Sequence, residues 1–165
     1  MIKINELDSG VTGEGKDITY VNGKYYLLSY NPAKVCVSED LENWTEYSLN
    51  GNYLKPKNLA YGNGIFVISG DNGTTNKTYI YTSTNGTEWT AREINTGQSF
   101  SIISNSCKFI NNRFILLFGI YWSENGVRTK TENWFYESTN GVTWKKHTLI
   151  INGSENFKIN HGSHR

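Results

Sequence analysis

A seven-residue motif occurs three times in this chain of 165 residues, and it limits the folds that the chain can adopt. Its pattern is Ser-x-(Asp/Asn)-x-x-x-Trp, and the three copies are Ser38–Trp44, Ser83–Trp89 and Ser138–Trp144. Successive tryptophans are 45 and 55 residues apart. A repeat in this range indicates a stack of similar supersecondary units, so the motif predicts a repeat architecture.

The first and third positions of the motif favour a tight turn. A serine hydroxyl and an Asp or Asn side chain accept hydrogen bonds from nearby backbone amides. The third position is Asp40, Asn85 and Asn140, and the last two are followed by glycine, a strong hairpin signal. The tryptophan then begins the next strand, where we expect it to fold back over the turn and be buried. Each copy is therefore predicted to join two strands of a hairpin.

Each motif belongs to a longer repeated unit. The order is a short strand, an Asn-rich turn, a nearly all-apolar strand, a third strand, the motif and a fourth strand. The full units are predicted at residues 18–49, 59–94 and 107–149. Two shorter segments, residues 2–7 and 157–161, show similar patterns and are predicted to complete or begin neighbouring units.

The motif resembles the Asp-box, the BNR repeat of sialidase-like β-propellers, in its shortened form Ser-x-Asp-Gly-x-x-Trp. The resemblance covers most of residues 18–149. It implies an all-β propeller of four-stranded antiparallel blades, with three full blades and two partial ones in this chain. The first copy departs from the pattern, because Leu41 replaces the glycine. The alternative folds are an open β-meander and a small β-sandwich. In such propellers the box is a structural turn remote from any active site, so it predicts fold rather than function.

Charge and hydropathy exclude several classes of function. The net charge is +1 and no basic block occurs, which argues against nucleic-acid partners and against attraction to an anionic membrane. No apolar stretch approaches the ~20 residues of a membrane-spanning helix, and the first residues lack the apolar core of a signal peptide. The lack of such a core favours the cytoplasm, and a location in a phage particle is implied only by the resemblance. Cys36 and Cys107 are predicted to be buried free thiols.

Neither a cofactor nor a metal is predicted. The pair His161 and His164 has metal-ligand spacing, but it stands near a polar chain end, where disorder is the simpler interpretation. The acidic residues of the Gly-rich segment 8–17 lack a spaced run of ligands.

The residues needed for glycoside hydrolysis are not grouped in the sequence. Sialidase-like enzymes use three arginines on a carboxylate, a Tyr–Glu pair and an Asp. The arginines here are Arg92, Arg113, Arg128 and Arg165, and none lies in the Arg-Ile-Pro context of that family. The acidic residues in predicted loops are Asp71, Glu124 and Glu132. Nothing in the sequence pairs two carboxyl groups across one site, so we predict that the chain is not an enzyme.

The connections between second and third strands are the better functional candidates. They are predicted at residues 70–77 and 121–132, on the face where such folds bind ligands. The residues predicted there are Asp71, Asn72, Tyr121, Trp122 and Arg128. Aromatic, amide and arginine side chains suit a sugar or a protein partner. The alternative is that Tyr121 and Trp122 pack beneath their own loop.

The sequence thus predicts a non-catalytic propeller module that binds a glycan or a protein. Asn-rich propellers of this kind resemble those of phage or prophage tails and bacterial surface proteins. The alternatives are a fragment of a sialidase-like glycosidase and a purely structural, self-assembling propeller. Propellers close with 4–8 blades, so three blades call for a partner. We expect either a second copy, most simply in a dimer, or the missing blades of a longer chain.

Overall fold

The computed structural model describes residues 11–50, 54–72, 77–94 and 101–148, and these residues form three four-stranded antiparallel sheets. The first sheet contains β1 (Glu14–Val21), β2 (Lys24–Tyr30), β3 (Lys34–Ser38) and β4 (Thr45–Ser48). The second contains β5 (Leu54–Gly62), β6 (Ile65–Asn72), β7 (Lys77–Ser83) and β8 (Thr90–Ile94). The third contains β9 (Ser101–Ile110), β10 (Arg113–Glu124), β11 (Val127–Ser138) and β12 (Lys145–Thr148). Each sheet pairs its strands in chain order, as propeller blades do.

The predicted order of strands is confirmed, but the first strand of each sheet begins earlier than predicted. β1, β5 and β9 begin at Glu14, Leu54 and Ser101, four to six residues before the predicted starts. Each of these strands contains a register shift, so one extra residue breaks the period-two alternation. The interrupted alternation hid the early part of each strand. The terminal strands predicted at 2–7 and 157–161 lie outside the described residues.

The first and second strands of every sheet are joined by a two-residue turn. The turns are Asn22-Gly23, Asn63-Gly64 and Asn111-Asn112, and all six residues have φ between 50° and 84°. Positive φ at both central positions matches the twist of hairpin strands, and Asn and Gly tolerate it best. These three turns are where the sequence predicts them.

The sheets pack side by side with their apolar faces in contact. One buried cluster joins the first and second sheets and includes Val35, Phe66 and Tyr81. The other joins the second and third sheets and includes Ile80 and Phe114. The second strand of the middle sheet, β6, is apolar because its side chains supply both of these layers, whereas β2 and β10 each supply one layer with one face.

Polar contacts also link the inner strands β1, β5 and β9, which lie next to one another. The carboxylate Oδ2 of Asp17 accepts a hydrogen bond from the backbone N–H of Leu59 at 2.9 Å. The amide Oδ1 of Asn58 accepts one from the backbone N–H of Cys107 at 2.8 Å. The three blades therefore form a continuous arc.

Both cysteines are buried and neither forms a disulfide, which confirms the prediction. Burial raises the pKa of the Cys107 thiol to about 12. Cys107 therefore acts as a small apolar residue of the interface between the second and third sheets.

The three copies of the motif form the same hydrogen-bonded turn. In each, the serine Oγ accepts hydrogen bonds from the backbone N–H groups of the two residues at positions three and four. The Asp or Asn Oδ1 accepts from the next two N–H groups, at 2.7–3.0 Å. Four backbone donors that no strand partner reaches are satisfied in this way. The tryptophans Trp44, Trp89 and Trp144 are half-buried rather than buried, because they cover the turn at the outer edge of the sheet.

Position four of the motif has positive φ in every copy: 67° at Leu41, 76° at Gly86 and 67° at Gly141. A leucine in this conformation costs roughly 1–2 kcal/mol relative to glycine, partly offset by the greater freedom of glycine in the unfolded chain. We expect Leu41→Gly to raise the free energy of unfolding by about 0.5–1 kcal/mol in urea denaturation. Leu41→Ala, which retains the strained backbone, is the control and should give no comparable gain.

Asp40 makes the first motif sensitive to acid. Hydrogen bonds from the Asn43 backbone and side chain, and from the Glu42 N–H, hold the pKa of this carboxyl well below its usual range. Its contribution to stability is present above the ordinary carboxyl pKa and is lost as the pH falls toward the lowered value. We expect Asp40→Asn, which keeps the Oδ1 acceptor, to show a smaller drop in Tm between pH 5 and pH 2. Glu39→Gln controls for net charge, and equal drops in wild type and Asp40→Asn would contradict the assignment.

Candidate ligand-binding end of the arc

The segment predicted as the longest loop, residues 121–132, is instead the outer half of a hairpin. β10 continues to Glu124 and β11 begins at Val127, with Tyr121 opposite Thr131 and Trp122 opposite Lys130. A register shift follows, and Ser123 then pairs with Arg128. The segment forms strands because Asn125 and Gly126 have φ of 51° and 79°, which makes the same two-residue turn as in the other hairpins. The Asn125-Gly126 pair was the sequence signal that could have identified this hairpin, but the polar residues around it favoured the prediction of a loop.

This hairpin, which we call the projecting hairpin (residues 120–132), extends past the neighbouring sheet. β6 has eight residues and ends at Asn72. The eighth residue of β10 is Ile120, but β10 has twelve residues and ends at Glu124. β10 therefore extends four residues farther, roughly 13 Å at the usual rise of a strand. Two exposed residues, Glu124 and Val127, flank its tip, and Val127 is 66% exposed.

The five predicted site residues fall in two groups at this end of the arc. Tyr121, Trp122 and Arg128 lie on the projecting hairpin, and Tyr121 is half-buried. Asp71 and Asn72 are the last residues of β6, paired with Thr78 and Lys77 of β7. The structure thus brings both groups to the same end of adjacent sheets, on strands instead of in loops.

The root of the hairpin is held by a packed charge cluster. Glu132 accepts a hydrogen bond from the Trp134 indole N–H at 2.7 Å. The Lys146 ammonium lies 3.0 Å from the centre of the Trp134 ring, and burial lowers its pKa. Glu132, one of the acidic residues considered for catalysis, is therefore engaged in a contact with Trp134 within the third sheet.

The described arginines do not converge on one site. Arg92 donates to the Thr82 hydroxyl at 2.6 Å, and Arg113 pairs with Glu137 at 2.8 Å. The Arg113 hydrogen bond is the main reason why the pKa of Glu137 is lowered. Arg113 begins β10, whereas Arg128 pairs ten residues farther along it, so the two are roughly 33 Å apart along the sheet. Arg165 lies outside the described residues.

Two clefts occur near the third motif, away from the projecting hairpin. One of about 290 Å³ is lined by Arg113, Glu137, Trp144 and neighbouring residues. The other, of about 210 Å³, lies between the second and third sheets and is lined by Ile80, Arg92, Tyr136 and Trp144, among others.

In the part of the chain that the structure describes, no three His, Cys, Asp or Glu residues are grouped to hold a metal ion. Nor do the described residues include a helix that is long and apolar enough to cross a membrane.

Comparison with known proteins identifies the fold. No family model matches the chain, and no curated protein matches it. Among solved structures, the phage phi92 endosialidase aligns with a TM-score of 0.60 at 9% identity, over 82% of this chain and 26% of its own. The subtype N10 neuraminidase-like protein of the isolate A/little yellow-shouldered bat/Guatemala aligns with a TM-score of 0.57 at 17% identity, over 81% of this chain and 44% of its own.

The chain is an arc of a β-propeller. This confirms the fold that the repeated motif predicts, and the neighbours share a sialidase-like propeller architecture. The chain spans about a quarter of the length of the endosialidase and less than half of the length of the neuraminidase-like protein. At such low identity the similarity shows the fold alone.

Proposed function

We propose that this chain is a non-catalytic propeller module that binds a glycan through the projecting hairpin and the adjacent end of β6. The observation that carries the proposal is the extension of β10 and β11 past the neighbouring sheet. This extension places Tyr121, Trp122 and Arg128 on one rigid element. Binding groups held on paired strands lose less entropy on binding than groups in a loop.

The composition of this end of the arc suits a sugar. Trp122 provides an aromatic ring for one face of a sugar, and the polar residues Asp71 and Asn72 at the adjacent end of β6 supply hydrogen-bonding groups for hydroxyls. Tyr121 and Arg128 lie on the other face of the hairpin, because successive strand residues alternate between faces. The names of the two structural neighbours, an endosialidase and a neuraminidase-like protein, connect this fold with sialic acid-containing glycans. Arg128 and Lys130 on the hairpin are compatible with an anionic sugar of this class.

We propose a function without catalysis because the described residues that could act in catalysis are far apart or form other contacts. Arg92 and Arg113 form contacts within the second and third sheets, remote from Arg128. Glu132 bonds to Trp134, and Glu124 is exposed at the hairpin tip. These positions give no pair of carboxyl groups across a common cavity in the described residues, as glycoside hydrolysis requires.

A glycan array probed with the full chain tests the binding function. We expect binding to a limited set of glycans, with Trp122→Ala reducing it at least about tenfold through loss of stacking. Tyr47→Ala, which removes an aromatic from β4 on the outer edge of the first sheet, is the matched control and should retain binding. Absence of glycan binding by a folded chain, or equal losses in the two variants, would reject the proposal and leave a protein partner as the candidate.

The catalytic alternative predicts measurable turnover. We expect no hydrolysis of sialyl or common aryl-glycoside substrates by the folded chain. The measurement is release of the chromophore, with an active sialidase as the positive control. Turnover that disappears in Glu124→Gln or Glu132→Gln would establish that the chain is a glycosidase.

A further inference from the structure

The first and third sheets each present one face that no other described sheet covers. Strand register places Ile18, Tyr20, Tyr25, Leu27 and Cys36 on the open face of the first sheet, the head face. It places Ile110, Ile115, Leu117 and Phe135 on the open face of the third sheet, the tail face, edged by Lys108, Arg113, Glu137 and His147. Ile18, Tyr20 and Ile110 are 52%, 60% and 58% exposed, so large apolar side chains on both faces meet water.

The two internal interfaces show how such faces pack. The ring of Phe109 in the third sheet lies directly against Gly62 of the second, where an added Cβ would be 2.2 Å from the ring. At the corresponding positions of the other interface, Tyr61 and Val21 lie in one apolar cluster. The head face carries Tyr20 at the position of Tyr61 and Phe109, because each lies two residues before its turn. The tail face carries Ile110 at the position of Val21 and Gly62.

At a second pair of positions, on the third strand of each sheet, the large and the small side chain exchange places between the open faces and the internal interfaces. Internally a smaller aliphatic residue shares a cluster with a tyrosine: Val35 with Tyr81, and Ile80 with Tyr136. On the open faces the corresponding residues are Phe135 on the tail and Cys36 on the head, as strand register shows. A large residue is thus matched with a small one in both arrangements. Because Cys36 has no exposed surface, Phe135 would meet the side chains that cover Cys36 rather than the thiol itself.

The hydrogen bonds between the inner strands also have a counterpart on the tail face. Asp17 and Asn58 each accept from the backbone of the next sheet. Ser106 occupies this position in the third sheet, because it pairs with Leu117 as Asp17 pairs with Leu28 and Asn58 with Ser69. Its hydroxyl is also an acceptor. The tail face therefore carries both the apolar and the polar parts of an internal interface.

We infer that the tail face of one copy binds the head face of a second copy, as consecutive sheets bind within the chain. The described residues form three blades, fewer than the 4–8 of closed propellers, and two copies provide six such blades. Two such contacts, related by a two-fold axis along the pore, close the ring without leaving an open face. Tyr20 and Ile110 lie on the innermost strands, beside the two-residue turns, at one end of each junction.

One residue makes the junction differ from the internal interfaces. Gly86 and Gly141 approach Tyr26 and Val67 so closely that an added Cβ would lie 2.4 Å and 2.9 Å away. The corresponding residues at the junction are Leu41 and Ile115, which need more room. The junction is therefore wider at this outer rim, and Leu41→Gly should strengthen association.

The oligomeric mass of the full chain tests the inference. Light scattering at about 50 µM should give twice the chain mass of 18.8 kDa. Ile110→Asp and Tyr20→Asp should each shift the protein to the monomer mass, because a charge is buried at both junctions of the ring. Val127→Asp is the matched control, since Val127 is an exposed apolar residue on the projecting hairpin, and it should leave the mass unchanged. Circular dichroism checks that each variant is folded.

Mixing the two variants distinguishes head-to-tail from symmetric contacts. A heterodimer of Ile110→Asp with Tyr20→Asp retains one unmodified junction, so the mixture should associate at least about tenfold more tightly than either variant alone. In a contact between like faces only one of the variants would dissociate, and mixing would restore nothing. That result, a monomeric wild type, or masses that grow beyond two copies with concentration would each overturn the inference.

Discussion

Phe114→Ala is expected to lower the free energy of unfolding by about 3–5 kcal/mol, the range for removal of a fully buried aromatic ring. Phe114 has no exposed surface and lies in the cluster between the second and third sheets. Its ring is 4.8 Å from that of Phe109, which itself lies against Gly62. No neighbour is free to fill the space because each is held in a paired strand. Urea denaturation measures the change.

The repeat supplies a control at the same structural position. Tyr25 occupies in the first sheet the place of Phe114 in the third, but it faces away from the other sheets and is half-buried. Tyr25→Ala should cost less than about 2 kcal/mol when measured at a concentration where the chain is monomeric. Equal losses for the two variants would show that the clusters between sheets do not dominate the stability of the arc.

The fold was predictable because its signals are local and repeated. The motif specifies a turn through its own backbone hydrogen bonds, and Asn-Gly and Asn-Asn specify the two-residue turns through positive φ. Neither signal needs a distant partner. The apolar second strands, such as β6 and β10, then require cover on both faces, which favours stacked blades over a single open sheet.

The features that the sequence did not predict depend on neighbours. The inner strands begin early because a bulge lets their first residues pair, as at Pro56 and Asn58 in β5. Trp89 and Trp144 are half-buried because the preceding sheet covers only one side of each turn, and Trp44 lies at a turn that no other described sheet covers. The partnership of Asn58 with Cys107, 49 residues away, has no sequence pattern at all.

In the candidate site, too, some features follow from local sequence signals and others depend on neighbouring strands. Its residues were placed at the correct end of the sheets because strand order alone decides that end. Their conformation was wrong, since residues 121–132 are paired strands. The difference bears on the proposed glycan binding, because a hairpin holds Trp122 and Arg128 at fixed positions along the sheet, whereas a loop of 12 residues would not.

Gly86→Ala is the second substitution with a large expected effect, about 2–5 kcal/mol of lost stability. Part of the loss is conformational, since Gly86 has φ of 76°, where a side chain costs roughly 1–2 kcal/mol. The rest is steric, because the new Cβ would lie 2.4 Å from the ring of Tyr26 in the first sheet. Moving a ring that belongs to the packed cluster between the sheets costs about 1–3 kcal/mol.

Gly64→Ala separates the two parts. Gly64 has φ of 74°, but an added Cβ would meet nothing within 4 Å. It should therefore show the conformational loss alone, about 1 kcal/mol in urea denaturation. In a Tyr26→Val background, which removes the obstructing ring, the cost of Gly86→Ala should fall to that of Gly64→Ala. A cost that stays the same in both backgrounds would mean that the second motif does not touch the first sheet, and that the blades are not packed as a propeller requires.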